Sequence, residues 1–433
     1  MSEIPAGAAL PSSEQRADIK RLMIFFALVY LTEGIGQTDG LIAQPLNYYL
    51  KQVYQWTPVQ IAAFLTVLNL PWFIKPLYGV ASDFVPLLGY RRKTYLIAAN
   101  AAAAAAYFSI LQVSSPGSLV FLLLLTAYGM AIASTLCGAL LVENGQKFDA
   151  CGAFVNQQWL WFNIATVFSS LAGGLLIEWF APLSAVRAAA ALAGVAPVAV
   201  IAGSFMFIDE EKSAVSMAGL KDSFNGLTAA FKSRKLWVIA FFLLFYYFSP
   251  GIATPLYFYM TDKLKFSQQF IGALGSIQAV GWIAGSLIYG AYLQRLSLKT
   301  LLNLSILVGV LATLSFIFLS GTVTAVVANI CYGAASMLTA VASLGLAANY
   351  CPKRSEGFAF AALMSVTNIS GSLADNVGSF LFEHVFGNEL YPLILVAAAF
   401  TAVNFVLVPL LGLKTKTPPQ REGIAEPVQA NAS

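Results

Sequence analysis

The chain has 433 residues, of which 58% are hydrophobic and only 10% charged, with a mean hydropathy of +0.74. Soluble domains carry roughly 25% charged residues, so the composition excludes an ordinary water-soluble globule and leaves room for about a dozen spans of roughly 20 residues. The net charge of +4 marks no nucleic-acid partner, because the basic residues are spread through loops rather than gathered in one patch.

Residues 1–21 are polar and carry no short apolar core, so no cleavable signal peptide is expected. Twelve apolar segments follow, approximately 22–50, 57–84, 93–113, 118–143, 151–180, 184–208, 236–261, 267–293, 298–319, 323–349, 356–386 and 390–412. In lipid every backbone polar group must be paired internally, so all twelve are read as helices. Pro45, Pro71, Pro76 and Pro255 fall inside segments and predict kinks rather than ends. The long connection, about 209–235, splits the chain near its middle, and Met217 to Ser233 within it reads as a short amphipathic surface helix. The expected organisation is a tail (1–21), a six-helix bundle (22–208), a linker (209–235), a second six-helix bundle (236–413) and a tail (414–433). Cys137, Cys151, Cys331 and Cys351 lie in or beside apolar segments without metal-ligand spacing and read as buried free thiols.

Charge orients the bundle. Of 24 Lys and Arg, 19 fall in the tails and the even-numbered loops, four in the odd loops (Lys51, Arg187, Lys263, Lys265), and Lys75 lies inside a span. Basic residues gather on the cytoplasmic side, which places both termini in the cytoplasm of a multi-pass cell (inner) membrane protein.

The halves are related to each other. Pro45–Ile61 aligns with Pro255–Ile271 at a constant offset of 210, pairing Pro45 with Pro255, Tyr49 with Tyr259, and Thr57 with Ser267. Segments five and eleven align at offset 205, pairing Asn163 with Asn368, Gly173 with Gly378, and Glu178 with Glu383. Segments four and ten align at offset 204 through Tyr128-Gly129 and Tyr332-Gly333. Three helix pairs in the right order describe a parallel six-plus-six duplication. This plan resembles that of major facilitator transporters, whose halves rock about a midplane site.

The intramembrane charges break this repeat. Glu33 aligns with Leu243, Asp39 with Ser249, Lys75 with Gly285, and Asp375 with Ser170. A charge that merely served the repeat fold would be duplicated, and intramembrane ionisable residues mark functional sites by default. A buried Glu33–Lys75 ion pair of structural purpose remains the alternative. With them stand Gln37, Asn69, Trp72, Gln157, Gln158, Trp161, Gln278, Trp282, Asn368, Ser372 and Asn376, amides and indoles suited to a polar planar ligand.

The turn Gly79-x-x-x-Asp83 … Gly89-Tyr90-Arg91-Arg92-Lys93 resembles the major facilitator signature between helices two and three. The resemblance implies a gating latch of Gly79, Asp83, Gly89, Arg91 and Arg92 that holds the outward-open state; a plain topology anchor is the other reading. The fuller string, PWFIKPLYG followed by SDFVPLLGYRRKTYL, with Thr32-Glu33-Gly34 in the first helix, resembles the folate–biopterin transporter family. That resemblance implies a proton-coupled symporter of pteridines. A carboxylate could accept a pterin's neighbouring N–H groups, and Lys75 could meet folate's glutamate tail. Glu33, Asp39 and Asp375 are the candidate proton carriers. A related carrier or exporter of another polar solute (a muropeptide, siderophore or drug) is the second reading. A membrane enzyme or sensor has no constellation behind it: His384 stands without Cys or Ser–acid company, and no phosphate-binding glycine loop is present. No cofactor or metal is expected; the partners are the bilayer, a small solute and protons.

Overall fold

The structure is a computed structural model that describes residues 13–413 except 114, 149, 213–227, 229–231, 294 and 351–355. The described residues form fifteen α-helices, numbered here in chain order. They are α1 (Ser13–Gly36), α2 (Ala43–Tyr54), α3 (Pro58–Phe73), α4 (Lys75–Phe84), α5 (Lys93–Ile110), α6 (Pro116–Lys147), α7 (Cys151–Trp179) and α8 (Pro182–Phe207) in the first half. The second half holds α9 (Arg234–Tyr247), α10 (Ala253–Asp262), α11 (Gln268–Ile288), α12 (Leu298–Ser315), α13 (Thr322–Tyr350), α14 (Glu356–Phe380) and α15 (Leu390–Leu407).

Fifteen helices fill the twelve apolar segments because three segments are broken. The first divides into α1 and α2, the second into α3 and α4, and the seventh into α9 and α10. Kinks were expected at Pro45 and Pro255, but helix ends are found. Each proline sits in the first turn of a fresh helix, where its missing N–H costs nothing. Pro71 lies inside α3 and Pro76 near the start of α4, with the break at Ile74 between them. Among the described residues, eight helical runs are long and apolar enough to cross a bilayer, including Pro58–Phe84, Pro116–Lys147 and Thr322–Ala347. Two of the remaining segments are the broken first and seventh. Cys137 is buried as expected; Cys331 is exposed, which corrects its reading, and Cys351 lies outside the described residues. Most of the expected amphipathic stretch from Met217 to Ser233 lies outside the described residues.

The duplication recurs in three dimensions at the two breaks. The backbone carbonyl of Gly34 accepts from Ser169 Oγ, 3.1 Å away, and that of Leu244, its partner at offset 210, accepts from Ser370 Oγ. A Cβ on Gly173 would lie 3.2 Å from the Leu41 carbonyl oxygen; one on Gly378 would lie 1.9 Å from the Gly251 oxygen. Leu41 and Gly251 are again partners at offset 210, so each break is seated on a small residue of the matching fifth or eleventh segment.

Two ends of the bundle differ. At the end opposite the basic loops, one apolar core runs through both halves, joining Leu41, Leu46 and Phe64 to Leu256, Phe258 and Leu393. At the basic end there are two cores, one within each half, around Phe26 and Leu136 and around Phe242 and Leu302. The halves meet along two seams, α7 against α11 and α3 against α14, the latter continuing along α4. The apolar core is therefore shared between the halves at the far end and separate for each half at the basic end, where α4 still meets α14.

Because the Gly378–Gly251 approach leaves no room for a methyl group, Gly378→Ala should push α14 off the seventh-segment break. A loss of about 1–3 kcal/mol is expected from such overpacking. It should be read as a lowered melting temperature in detergent, whereas Gly371→Ala, where a Cβ meets open space, should leave melting unchanged.

Candidate functional site

Glu33 and Lys75 come together, but they do not touch. Ser134 of α6 stands between them, with Lys75 Nζ donating to Ser134 Oγ at 3.2 Å and Ser134 Oγ donating to Glu33 Oε1 at 3.0 Å. Lys75 opens α4 just past the Ile74 break, and its ammonium lies 4.5 Å from the centroid of the Trp72 ring. A desolvated cation over an indole gains about 2 kcal/mol, which offsets part of the cost of a charge at this depth. Glu33 Oε2 is buried and has no hydrogen-bond partner. A bare carboxylate oxygen in apolar surroundings is costly, so the array is half-satisfied: a cation, a hydroxyl bridge and an open acceptor.

The other acids are placed differently. Asp375 of α14 spans the seventh-segment break, accepting from Thr254 N at 3.2 Å and from Thr254 Oγ1 at 2.7 Å, and so caps α10. Beside it a cavity of about 220 Å³ is lined by Tyr247, Ser249, Gly251, Tyr332 and Asp375. Asp39 sits in the 37–42 break of the first segment, exposed, within electrostatic reach of Asp375. The repeat partner of Asp39, Ser249, donates to the Ala397 carbonyl at 2.9 Å.

The amides divide into two groups. Asn368 donates to the Trp72 carbonyl at 3.3 Å and Asn376 to Thr66 Oγ1 at 2.6 Å, so these two stitch α14 to α3 across the seam. Trp161 Nε1 donates to Gln157 Oε1 one turn away at 2.7 Å. Trp282 packs on Trp159 across the α7–α11 seam with centroids 6.1 Å apart. By contrast the half-buried side chains of Gln37, Asn69, Gln158 and Gln278 make no hydrogen bond among the described residues. Ser372 contributes only its carbonyl, to Asn376. Ser134 and Thr254 were missed in the sequence; a hydroxyl gives no signal there until its neighbours are known.

The signature turn folds around one arginine. Leu88 and Gly89 both have positive φ, at 55° and 88°, closing the tight turn between Leu87 and Tyr90 for which glycine is suited. Arg92 is buried, and its Nη2 lies 2.6 Å from Asp83 Oδ1 and 2.8 Å from Glu143 Oε1, while Nη1 donates to Ser82. Arg91 is exposed and contributes its backbone N–H, which with those of Arg92 and Lys93 is accepted by Glu210 at the start of the linker. A Cβ on Gly79 would meet Thr135 Cγ2 at 4.0 Å, an ordinary contact. Arg92, Asp83, Glu143 and Ser82 all lie in the first half and join no helix of the second, so these contacts do not themselves hold the halves together as the outward-open latch of the resemblance would. Arg92→Lys keeps the charge but loses the planar fork that joins Asp83 to Glu143, so it should cut turnover at least tenfold, about 1.4 kcal/mol. Arg91→Lys should stay within twofold; equal effects of the two substitutions on transport rate would contradict this assignment.

Comparison with known proteins identifies the class of molecule. The BT1 family model matches residues 35–413. The "Folate-biopterin transporter" of Synechocystis sp. is 25% identical over 413 residues, covering 90% of this chain and 81% of that protein. The "Probable folate-biopterin transporter 4" of Arabidopsis thaliana is 27% identical over 439 residues, covering 82% of this chain and 86% of its own length. Among solved structures, a mutant of the nucleoside transporter NupG superposes with a TM-score of 0.70 at 15% identity, covering 90% of this chain and 99% of that one. A D-xylose-proton symporter superposes with a TM-score of 0.69 at 12% identity, covering 92% and 97%. At such identities the likeness shows the fold alone: two six-helix pseudo-repeats in the major facilitator arrangement. The chain is a membrane transporter and not an enzyme, and it belongs to the BT1 family.

Proposed function

We propose that this chain is a proton-coupled secondary transporter of folate- or pteridine-like solutes, working by alternating access in the cell (inner) membrane with both termini in the cytoplasm. The observation that carries the reading is the Glu33–Ser134–Lys75 array, with one acceptor oxygen unspent. The Lys75 ammonium can meet the anionic tail of folate beside Trp72, whereas Glu33, joined to Lys75 through the single Ser134 hydroxyl, is too close to take the pterin edge of the same folate, whose neighbouring N–H donors suit another carboxylate of the bundle. The names of the relatives support the same substrate class. The excess of basic residues at one end supports the orientation. On that orientation, a core shared at the far end and separate cores at the basic end describe a state closed on the far side.

Glu33 is the proposed proton carrier. It has a free oxygen beside the solute site, whereas both Asp375 oxygens are engaged in capping α10. Protonated Glu33 would lose its attraction for Lys75 and free the ammonium for an anionic solute, which ties the proton to the cargo. Import versus export is set by the gradients that act on this one cycle.

Reconstituted protein should accumulate labelled folate or pterin when a proton gradient is imposed, and a protonophore should abolish the accumulation. Glu33→Gln should lose gradient-driven accumulation yet retain solute exchange between the two sides. Removing the cation from a desolvated pair costs about 2–5 kcal/mol, so Lys75→Ala should slow folate uptake by roughly 30-fold or more without loss of folded protein. Accumulation indifferent to the protonophore would overturn proton coupling, and uptake confined to unrelated solutes would overturn the substrate class.

A further inference from the structure

The far end of the seam holds a duplicated arrangement outside the solute site. Glu178 ends α7, and Glu383 follows α14 in the π-helical turn Leu381–Val385; the two match at offset 205. Glu178 Oε1 accepts from the backbone N–H of Gln269 at 3.3 Å, and Glu383 Oε2 accepts from that of Val59 at 3.1 Å. Val59 and Gln269 match at offset 210, and each is the second residue of a helix in the opposite half, α3 and α11 respectively. Both helices already carry a local cap. Thr57 Oγ1 takes the Gln60 N–H and Ser267 Oγ takes the Phe270 N–H, which leaves the second-residue donor open. Pro58 has no N–H to offer, so Val59 is the first donor of α3.

We propose that Glu178 and Glu383 are a twin far-side latch. Each carboxylate caps, across the seam, the first turn of a helix in the other half, and the pair holds the far end shut. A carboxylate at a helix N-terminus gains both a charge-assisted hydrogen bond and the favourable end of the helix dipole. The latches flank a third contact on the repeat axis itself. Lys51 Nζ bonds Thr261, its own partner at offset 210, and lies 2.6 Å from Asp262 Oδ1 and 4.3 Å from the Phe258 ring centroid. Next to them the α7–α11 seam is built on glycine: a Cβ on Gly272 would lie 2.5 Å from the Ser170 oxygen. Small residues let the helices approach, and the carboxylates supply the breakable polar bonds. The neighbouring Lys263–Glu389 pair, 2.6 Å apart, stays within one half and opposes nothing. Since both latches span the seam, a rocking motion that opens the far end breaks them together, and water then solvates the freed groups. Glu178 and Glu383 touch no solute and are positioning residues for the transport cycle.

The latch rests on the alternating-access reading, and spin-label distances separate the two. The full chain, with its four cysteines replaced by alanine, would carry labels at Gln112→Cys and Ser320→Cys in far-end loops, or at Lys147→Cys and Arg295→Cys at the basic end. Glu178→Ala with Glu383→Ala should raise the population of long far-end distances several-fold and shorten the basic-end distances in step. Glu383→Ala alone should act more strongly than Glu178→Ala, because Glu383 is half-buried and Glu178 exposed. Glutamine at either site keeps an acceptor and should fall between. Unchanged distances in the double variant, in a protein whose wild-type distances do respond to solute, would overturn the latch alone. Lengthening at both ends would mean a loosened bundle and would also overturn it. Wild-type distances that never move in opposite directions would remove alternating access and the latch with it.

Discussion

A backbone in lipid has to find every hydrogen-bond partner within the protein, yet the first and seventh segments of this chain are each broken into two helices. The rest of the architecture follows from how those breaks are satisfied. At the first, Tyr107 donates to the Gly36 carbonyl, and the Leu41 N–H reaches back to Ile35 at 2.9 Å. At the seventh, the Gly251 N–H donates to the Ala374 carbonyl at 2.7 Å, and Asp375 caps the helix that restarts beyond it. The second arrangement needs a neighbouring helix at backbone contact, and Gly378 against Gly251 provides that approach.

The two halves use the same break for different purposes. In the second half it is closed with hydroxyls and one carboxylate, all spoken for. In the first half the neighbouring acid, Glu33, keeps an oxygen bare and shares a serine with Lys75. Charge without a repeat partner thus falls into two kinds: Asp375 serves the fold, while the Glu33–Lys75 array has capacity left over. The seam obeys the same division. Asn368 and Asn376 hold α14 against α3 near the level of Trp72, the glutamates and Lys51 hold the far end, and each half keeps its own core at the basic end. A core shared at one end and separate at the other suits the rocking proposed above.

Much of this was legible in the chain. Segment number followed from hydropathy, and the duplication from pairs such as Pro45 with Pro255 and Glu178 with Glu383, because repeats preserve positions that set backbone approach. The string from Pro71 to Leu96 was specific enough to name the family. What stayed hidden depends on rotation about helix axes and on partners far apart in sequence. Nothing local distinguishes Arg91 from Arg92, yet one is exposed and the other buried between Asp83 and Glu143. Ser134 reads as one small residue among many until it falls between two charges, and Asn368 and Asn376 looked like ligand amides until they met Trp72 and Thr66. Proline was misread for a physical reason: it fits the first turn of a new helix as well as it bends an old one.

The central claim is that Glu33, Ser134 and Lys75 form one solute site, with the cation assigned to an anionic tail. Calorimetric binding of folate and of a tail-less pterin, to wild type and to Lys75→Ala, tests it most directly. Lys75→Ala should lose the preference for folate while pterin binding stays within a few-fold of wild type. Equal weakening of both ligands, or unchanged folate binding, would contradict it.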